Sequence, residues 1–147
     1  MVREAREGDL QELLELYQYL HEKEVPGPSR QLSAAWRKIL EDPDHHLLVN
    51  IVDGKIVSSC VCVIIPNLTR GARPYAFIEN VVTHGACRGR GYATECLRAA
   101  RQIAEENGCY KMMLLTGSKE QKTLDFYRNA GYNSQDKTAF IQWIDME

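Results

Sequence analysis

No apolar run in this chain approaches the roughly 20 residues that a membrane-spanning helix needs, which argues against a membrane protein. Nor does either charge dominate. Lys and Arg number 18 against 20 Asp and Glu, for a net charge of −2, and the pI is about 6.1. A broad basic field that would hold nucleic acid is therefore lacking. Paired metal-ligand spacing is missing too: the five cysteines are odd in number, and Cys60 and Cys62 flank a single residue. That pattern suits neither a zinc site nor a disulfide framework, so no metal is expected. The opening MVREAREGD has no signal-peptide character. A cytoplasmic, reduced protein is the natural expectation. Repeats and low-complexity stretches are also missing. Val25-Pro26-Gly27-Pro28-Ser29 is too short for a linker and reads as a loop between helices. With 147 residues, a single domain over 1–147 with one core is expected.

What is present reads as alternating strands and helices. Val2 to Ala5 is a short strand, and Asp9 is placed to cap a helix with the apolar stripe Leu10, Leu13, Leu14, Tyr17 and Leu20. A second helix is predicted from about Ser33 to Leu40. Leu47 to Val52 and Lys55 to Ile65 form a hairpin across Asp53-Gly54, a favoured two-residue turn. Pro66 and Gly71 mark a loop before a strand at Tyr75. A long helix, the Lys111 strand, a helix around Tyr127 and a final strand, Ala139 to Ile144, complete the order β-α-α-β-β-β-α-β-α-β. That order predicts an α/β fold: a mixed sheet of about six to seven strands flanked by helices, antiparallel in its front half.

The stretch from Pro74 to Ala93, PYAFIENVVTHGACRGRGYA, carries the most chemistry. A β-branched and aromatic run, Phe77, Ile78, Val81 and Val82, enters a turn spelled Arg88-Gly89-Arg90-Gly91. Then Tyr92, Cys96, Leu97, Ala100, Ile103 and Ala104 recur at helical spacing. A strand, a basic glycine turn and a helix start together make a holder for phosphate, because glycine lets the backbone come close and first-turn N–H groups point outward. Arginines add charge where the macrodipole already favours an anion. Two familiar phosphate loops do not match. Gly-Lys followed by Ser or Thr occurs nowhere, and the residue three after Gly91 is Thr94, where a dinucleotide fingerprint wants Gly or Ala.

The string Arg88-Gly89-Arg90-Gly91-Tyr92-Ala93, an Arg-x-x-Gly-x-Ala pattern, resembles the acyl-CoA pyrophosphate loop of the GNAT superfamily of N-acyltransferases. A second element agrees in order and spacing: Leu124-Asp125-Phe126-Tyr127-Arg128-Asn129-Ala130-Gly131-Tyr132 is similar to the family's late helix. The resemblance implies acetyl-CoA as co-substrate, with its pyrophosphate on Arg88, Gly89, Arg90, Gly91, Tyr92 and Ala93. Its pantetheine arm would lie along Val81, Val82 and Thr83 like an added strand. It further implies direct acetyl transfer to a primary amine in a ternary complex, with Tyr127 protonating the leaving thiolate. A phenol's ordinary pKa of about 10 suits that task. The bland alternative is that Phe126 and Tyr127 are packing aromatics of an amphipathic helix.

Glu79 sits among apolar neighbours in its strand, which suggests a partly desolvated carboxylate able to take a proton from an ammonium group. A solvent-facing or substrate-binding acid is the equal alternative. Cys87 lies near His84, but a covalent acyl-cysteine route suits this chemistry poorly. Cys60 and Cys62 share a strand face and read as core thiols. His45 and His46 precede a strand, and nothing supports metal ligation by them.

The chain departs from the family pattern twice. Gly85 stands where proline is frequent, and Gly117 to Thr123 offers no Asn ahead of the late tyrosine. The expected partners are a small-molecule amine, amino sugars and polyamines before protein N-termini, and a second copy of the chain in a homodimer. The loop Glu24 to Arg30 would form the rim of a confined acceptor pocket. The last strand, around Trp143, would need covering at the dimer interface. A CoA-binding regulatory module without turnover, and a peptide or protein N-acetyltransferase, are the rival readings.

Overall fold

The computed structural model describes residues 1–145. Backbone contacts divide the chain into two compact units, Met1–Leu114 and the segment from Leu115 onward. In the first unit, β1 (Val2–Glu4) leads through a 3-10 turn (Glu7–Asp9) into α1 (Leu10–Leu16), followed by a second 3-10 turn (Tyr17–Tyr19). Then come α2 (Arg30–Glu41), β2 (His45–Val52), β3 (Lys55–Ile65) and a short helical turn, α3 (Thr69–Ala72). β4 (Tyr75–Thr83), a 3-10 turn (Gly85–Cys87), α4 (Tyr92–Glu106) and β5 (Met112–Leu114) complete the unit.

The sheet runs β1-β2-β3-β4-β5 in spatial order. Its first three pairings are antiparallel and β4 with β5 is parallel. Asp53 (φ 51°) and Gly54 (φ 75°) both take left-handed backbone between β2 and β3, the geometry a tight two-residue hairpin needs. Two apolar layers cover the sheet. Leu13 and Leu16 of α1 and Trp36 of α2 pack with Leu47, Val49, Ile56, Val61 and Val82 on one face. On the other, the thiols of Cys60 and Cys62 reach the carbonyls of Cys96 and Ala100 in α4. Burial pushes the Cys62 thiol up to about 12, so these cysteines behave as core groups. The buried side chains of Asn50, Ser58 and Ser59 are satisfied, whereas Nε2 of His45 and of His46 is buried without a partner among the described residues. Asn50 Nδ2 donates to Glu95 Oε2 at 2.8 Å, Ser58 Oγ to the Val82 carbonyl at 2.9 Å, and Ser59 Oγ to the Leu48 carbonyl at 2.7 Å.

Four expectations need correction. Among the described residues the sheet has five strands, fewer than six to seven. Ala139 to Ile144 carries no strand, and Phe140, Ile141, Trp143 and Ile144 stand exposed. A β-branched, aromatic run becomes a strand only when an edge pairs with it, and among the described residues none does. Asp9 does not cap α1: its carboxylate accepts from the Arg6 N–H at 2.7 Å and pairs with Arg3 at 2.7 Å. That hydrogen bond from Arg3 holds the Asp9 carboxyl below the usual range. Finally, α2 starts at Arg30, because Ser29 Oγ accepts from the Leu32 N–H and so caps the helix earlier than Ser33.

In the second unit, α5 (Gln121–Asn129) is the regular element, and the chain leaves it through Gly131 at φ 103°.

Candidate functional site

β4 is irregular at its middle. Glu79 pairs with Val61, yet the next matched pair is Val82 with Ser59, so Asn80 and Val81 together face the single residue Cys60. This is a β-bulge, and Asn80 takes the left-handed backbone (φ 50°) that accommodates the extra residue. The bulge exchanges the strand's faces. Ile78 lies opposite Cys62, on the α4 side, whereas Val82 joins the α1 and α2 core. On the other edge of β4, pairing with β5 reaches only Ile78 opposite Leu114. Beyond it, Glu79 to Thr83 have no β5 partner, and their outward N–H and C=O groups remain an edge that an extended ligand can join.

Glu79 and Asn80 are both exposed. The partly desolvated carboxylate expected at Glu79 is therefore not found: Glu79 pairs in regular register with Val61, just ahead of the bulge, and stands in solvent. Val81 and Thr83 are half-buried and Val82 is buried. Ser58 Oγ lies 3.1 Å from Thr83 Oγ1, which fixes the strand's last turn of side chains.

The free edge runs into the Arg88–Ala93 turn. Gly89 (φ 78°) and Gly91 (φ 82°) both occupy left-handed space, and nothing lies within 4 Å of where a Cβ would sit on either. Gly91 is the N-cap of α4, and among the described residues no side chain caps that helix. First-turn N–H groups are thus left for an outside acceptor. Arg88 and Arg90 are exposed, while Tyr92 and Ala93 are half-buried at the helix start. Uncapped donors, open glycine backbone and nearby guanidinium charge fit a pyrophosphate.

Before this turn, His84 Nδ1 accepts from the Ala86 N–H at 3.1 Å, and Nε2 lies 3.1 Å from Tyr19 Oη. Both ring nitrogens are thereby engaged away from Cys87, which removes the base that a nucleophilic Cys87 would need. Tyr19, His84 and Cys87 border an open cavity of about 920 Å³, together with Glu12 and Glu15 of α1 and the loop residue Val25. Sequence reasoning missed Tyr19 altogether. It is 65 residues from His84 along the chain, and no local pattern links the two. His45 and His46 begin β2, where His46 Nδ1 meets Glu4 Oε1 at 2.8 Å.

In the second unit, Tyr127 is half-buried on α5. Its ring meets Phe126 edge-on at 5.1 Å and Tyr132 at 6.3 Å. The Tyr132 N–H closes onto the Tyr127 carbonyl at 3.0 Å, so the helix end and the aromatic after Gly131 hold the phenol's ring between them.

Comparison with known proteins gives a consistent picture. The acetyltransferase (GNAT) family model matches residues 10–132. A glucosamine 6-phosphate N-acetyltransferase of Trypanosoma brucei brucei is 33% identical over 84 residues, covering 57% of this chain and 55% of that protein. The match therefore spans about half of that relative's length. Among solved structures, a presumed acetyltransferase from Agrobacterium tumefaciens str. C58 superposes with TM-score 0.90 at 43% identity, over 97% of this chain and 99% of its own. A transcriptional regulator from Bacillus halodurans C-125 superposes with TM-score 0.84 at 28% identity, over the same shares.

Proposed function

Because the chain belongs to the acetyltransferase (GNAT) family, we propose that it moves an acetyl group from acetyl-CoA to a primary amine of a small molecule, by direct attack in a ternary complex. One observation carries the proposal: the free edge of β4 past its bulge leads into the uncapped start of α4. Acetyl-CoA, when bound, supplies an activated thioester. Backbone N–H groups of Arg88 to Ala93 hold its pyrophosphate, and Val81, Val82 and Thr83 hold its amide-bearing arm as an added strand. Bringing the amine to a fixed thioester supplies the proximity that dominates such transfers. Glu79 takes the proton from the ammonium group through water, and Tyr127 Oη gives one to the departing sulfur.

The acceptor class draws support from the trypanosomal relative, named for an amino-sugar phosphate. Amino sugars and polyamines are expected ahead of protein N-termini. A thiol-release assay with acetyl-CoA and a panel of amines and peptides tests this directly. Turnover with peptides and with no small amine would overturn the acceptor class. The Bacillus neighbour, a transcriptional regulator, favours one second reading: a CoA-binding regulatory module. That reading predicts CoA binding with no thiol released from any amine.

Glu79→Gln is expected to flatten the acidic limb of the kcat/KM pH profile. An unchanged profile assigns the proton to bulk water or a backbone carbonyl. The protein is further expected to be a homodimer, because Phe140, Ile141, Trp143 and Ile144 present an apolar run to solvent that a second copy would cover. Light scattering at micromolar concentration should return twice the chain mass; a monomer overturns the dimer.

A further inference from the structure

Tyr19 is an aromatic ring held outside the core, 41% exposed, yet several independent contacts fix it. Its ring centroid lies 4.4 Å from that of His84. The Ala86 N–H donates to His84 Nδ1, so that nitrogen bears the lone pair and Nε2 carries the proton. His84 Nε2–H therefore donates to Tyr19 Oη, 3.1 Å away. Arg88 Nη2 donates to the Tyr19 carbonyl at 3.4 Å. A Cβ on Gly85 would lie 2.8 Å from Tyr19 Cε1, so only glycine at 85 lets the ring lie against the turn. Ala86 and Cys87 immediately precede the glycine turn, and the Cys87 N–H closes onto the His84 carbonyl at 2.8 Å.

We infer that Tyr19 and His84 form a latch that positions the phosphate turn, with Arg88 tied to the Tyr19 carbonyl and Arg90 left as the guanidinium that meets the anion. The latch rests on the acetyl-CoA reading above for the identity of that anion. It also gives the departure at Gly85 a physical reason: proline or any residue with a Cβ would displace the ring. Because Tyr19 and His84 also border the 920 Å³ cavity, the wall of that cavity and the floor of the phosphate turn are the same pair of rings. Tyr19 and His84 are positioning residues, acting through the backbone they hold.

Four variants test it: Tyr19→Phe removes the hydroxyl and keeps the ring, and His84→Asn keeps an acceptor for the Ala86 N–H and loses Nε2. Arg88→Ala and Arg90→Ala separate the two guanidinium groups. Calorimetry with CoA should show Tyr19→Phe and His84→Asn each weakening affinity about three- to tenfold, the size expected for one lost hydrogen bond. The double variant should lose no more than His84→Asn alone, because that substitution already removes the bond Tyr19→Phe deletes. Arg90→Ala should cost more affinity than Arg88→Ala. Melting temperatures should stay within about 3 °C of wild type, while amide exchange at Ala86 and Cys87 quickens in Tyr19→Phe without any CoA. Unchanged exchange overturns the latch. Faster exchange with wild-type CoA affinity overturns its positioning role, as does a double variant whose losses multiply, or an Arg88→Ala loss exceeding that of Arg90→Ala. If the wild type binds no CoA while Tyr19→Phe still quickens exchange, the acetyl-CoA reading falls and the latch stands.

Discussion

Gly91→Asp is expected to abolish acetyl-CoA binding in a protein that still folds. Gly91 sits at φ 82° with open space around its Cβ direction, so an added side chain meets no steric wall. Its cost is backbone strain alone, and Asp tolerates left-handed backbone better than most residues. The carboxylate would also stand at the N-cap of α4, where helix starts favour it. Folding is therefore retained. Binding is lost for the same reason: the new carboxylate takes the N–H groups the pyrophosphate needs and repels it. Like charges brought together cost several kcal/mol, so the affinity loss should be at least about a hundredfold. Calorimetry beside circular dichroism reads both halves, and wild-type affinity in a folded variant would remove the cradle.

Tyr127→Phe is expected to lower kcat about ten- to a thousandfold with little change in the KM for acetyl-CoA. The substitution deletes one oxygen and leaves the ring contacts with Phe126 and Tyr132 intact. A packing role would therefore leave activity where it was. A proton donor acting only as the sulfur leaves is missed in kcat, because its interaction is absent from the ground state. Equal turnover in Tyr127→Phe returns the residue to packing, and a rise confined to KM assigns it to binding.

The strand, turn and helix from Tyr75 to Glu106 were legible because each signal is local. Gly89 and Gly91 announce left-handed backbone, and the helix repeats its apolar residues through Cys96, Leu97, Ala100 and Ala104, all buried. The same holds for the Asp53-Gly54 hairpin. Glu79 shows where local reading ends. Its apolar sequence neighbours suggest burial, but the face it shares with half-buried Tyr75 and Phe77 is open to solvent at Glu79, and the bulged Asn80 beside it is exposed too. Nothing in the string Ile78-Glu79-Asn80-Val81 marks a bulge, since its register is set by β3, not by β4 itself. The run at Ala139 to Ile144 has strand composition and no strand, for want of a paired edge.

The amino-acid sequence by itself determined the order of the main elements as far as the helix around Tyr127, the glycine turn with its two arginines and the family to which they point. Those depend on backbone preferences and periodicities that act over a few residues. Only the tertiary structure decided the bulge that frees the edge of β4, the exposure of Glu79 and the contact of Tyr19 with His84 and Gly85. Each of these is an energy shared between segments far apart in the chain, and such an energy exists only once the chain has closed the loop between them.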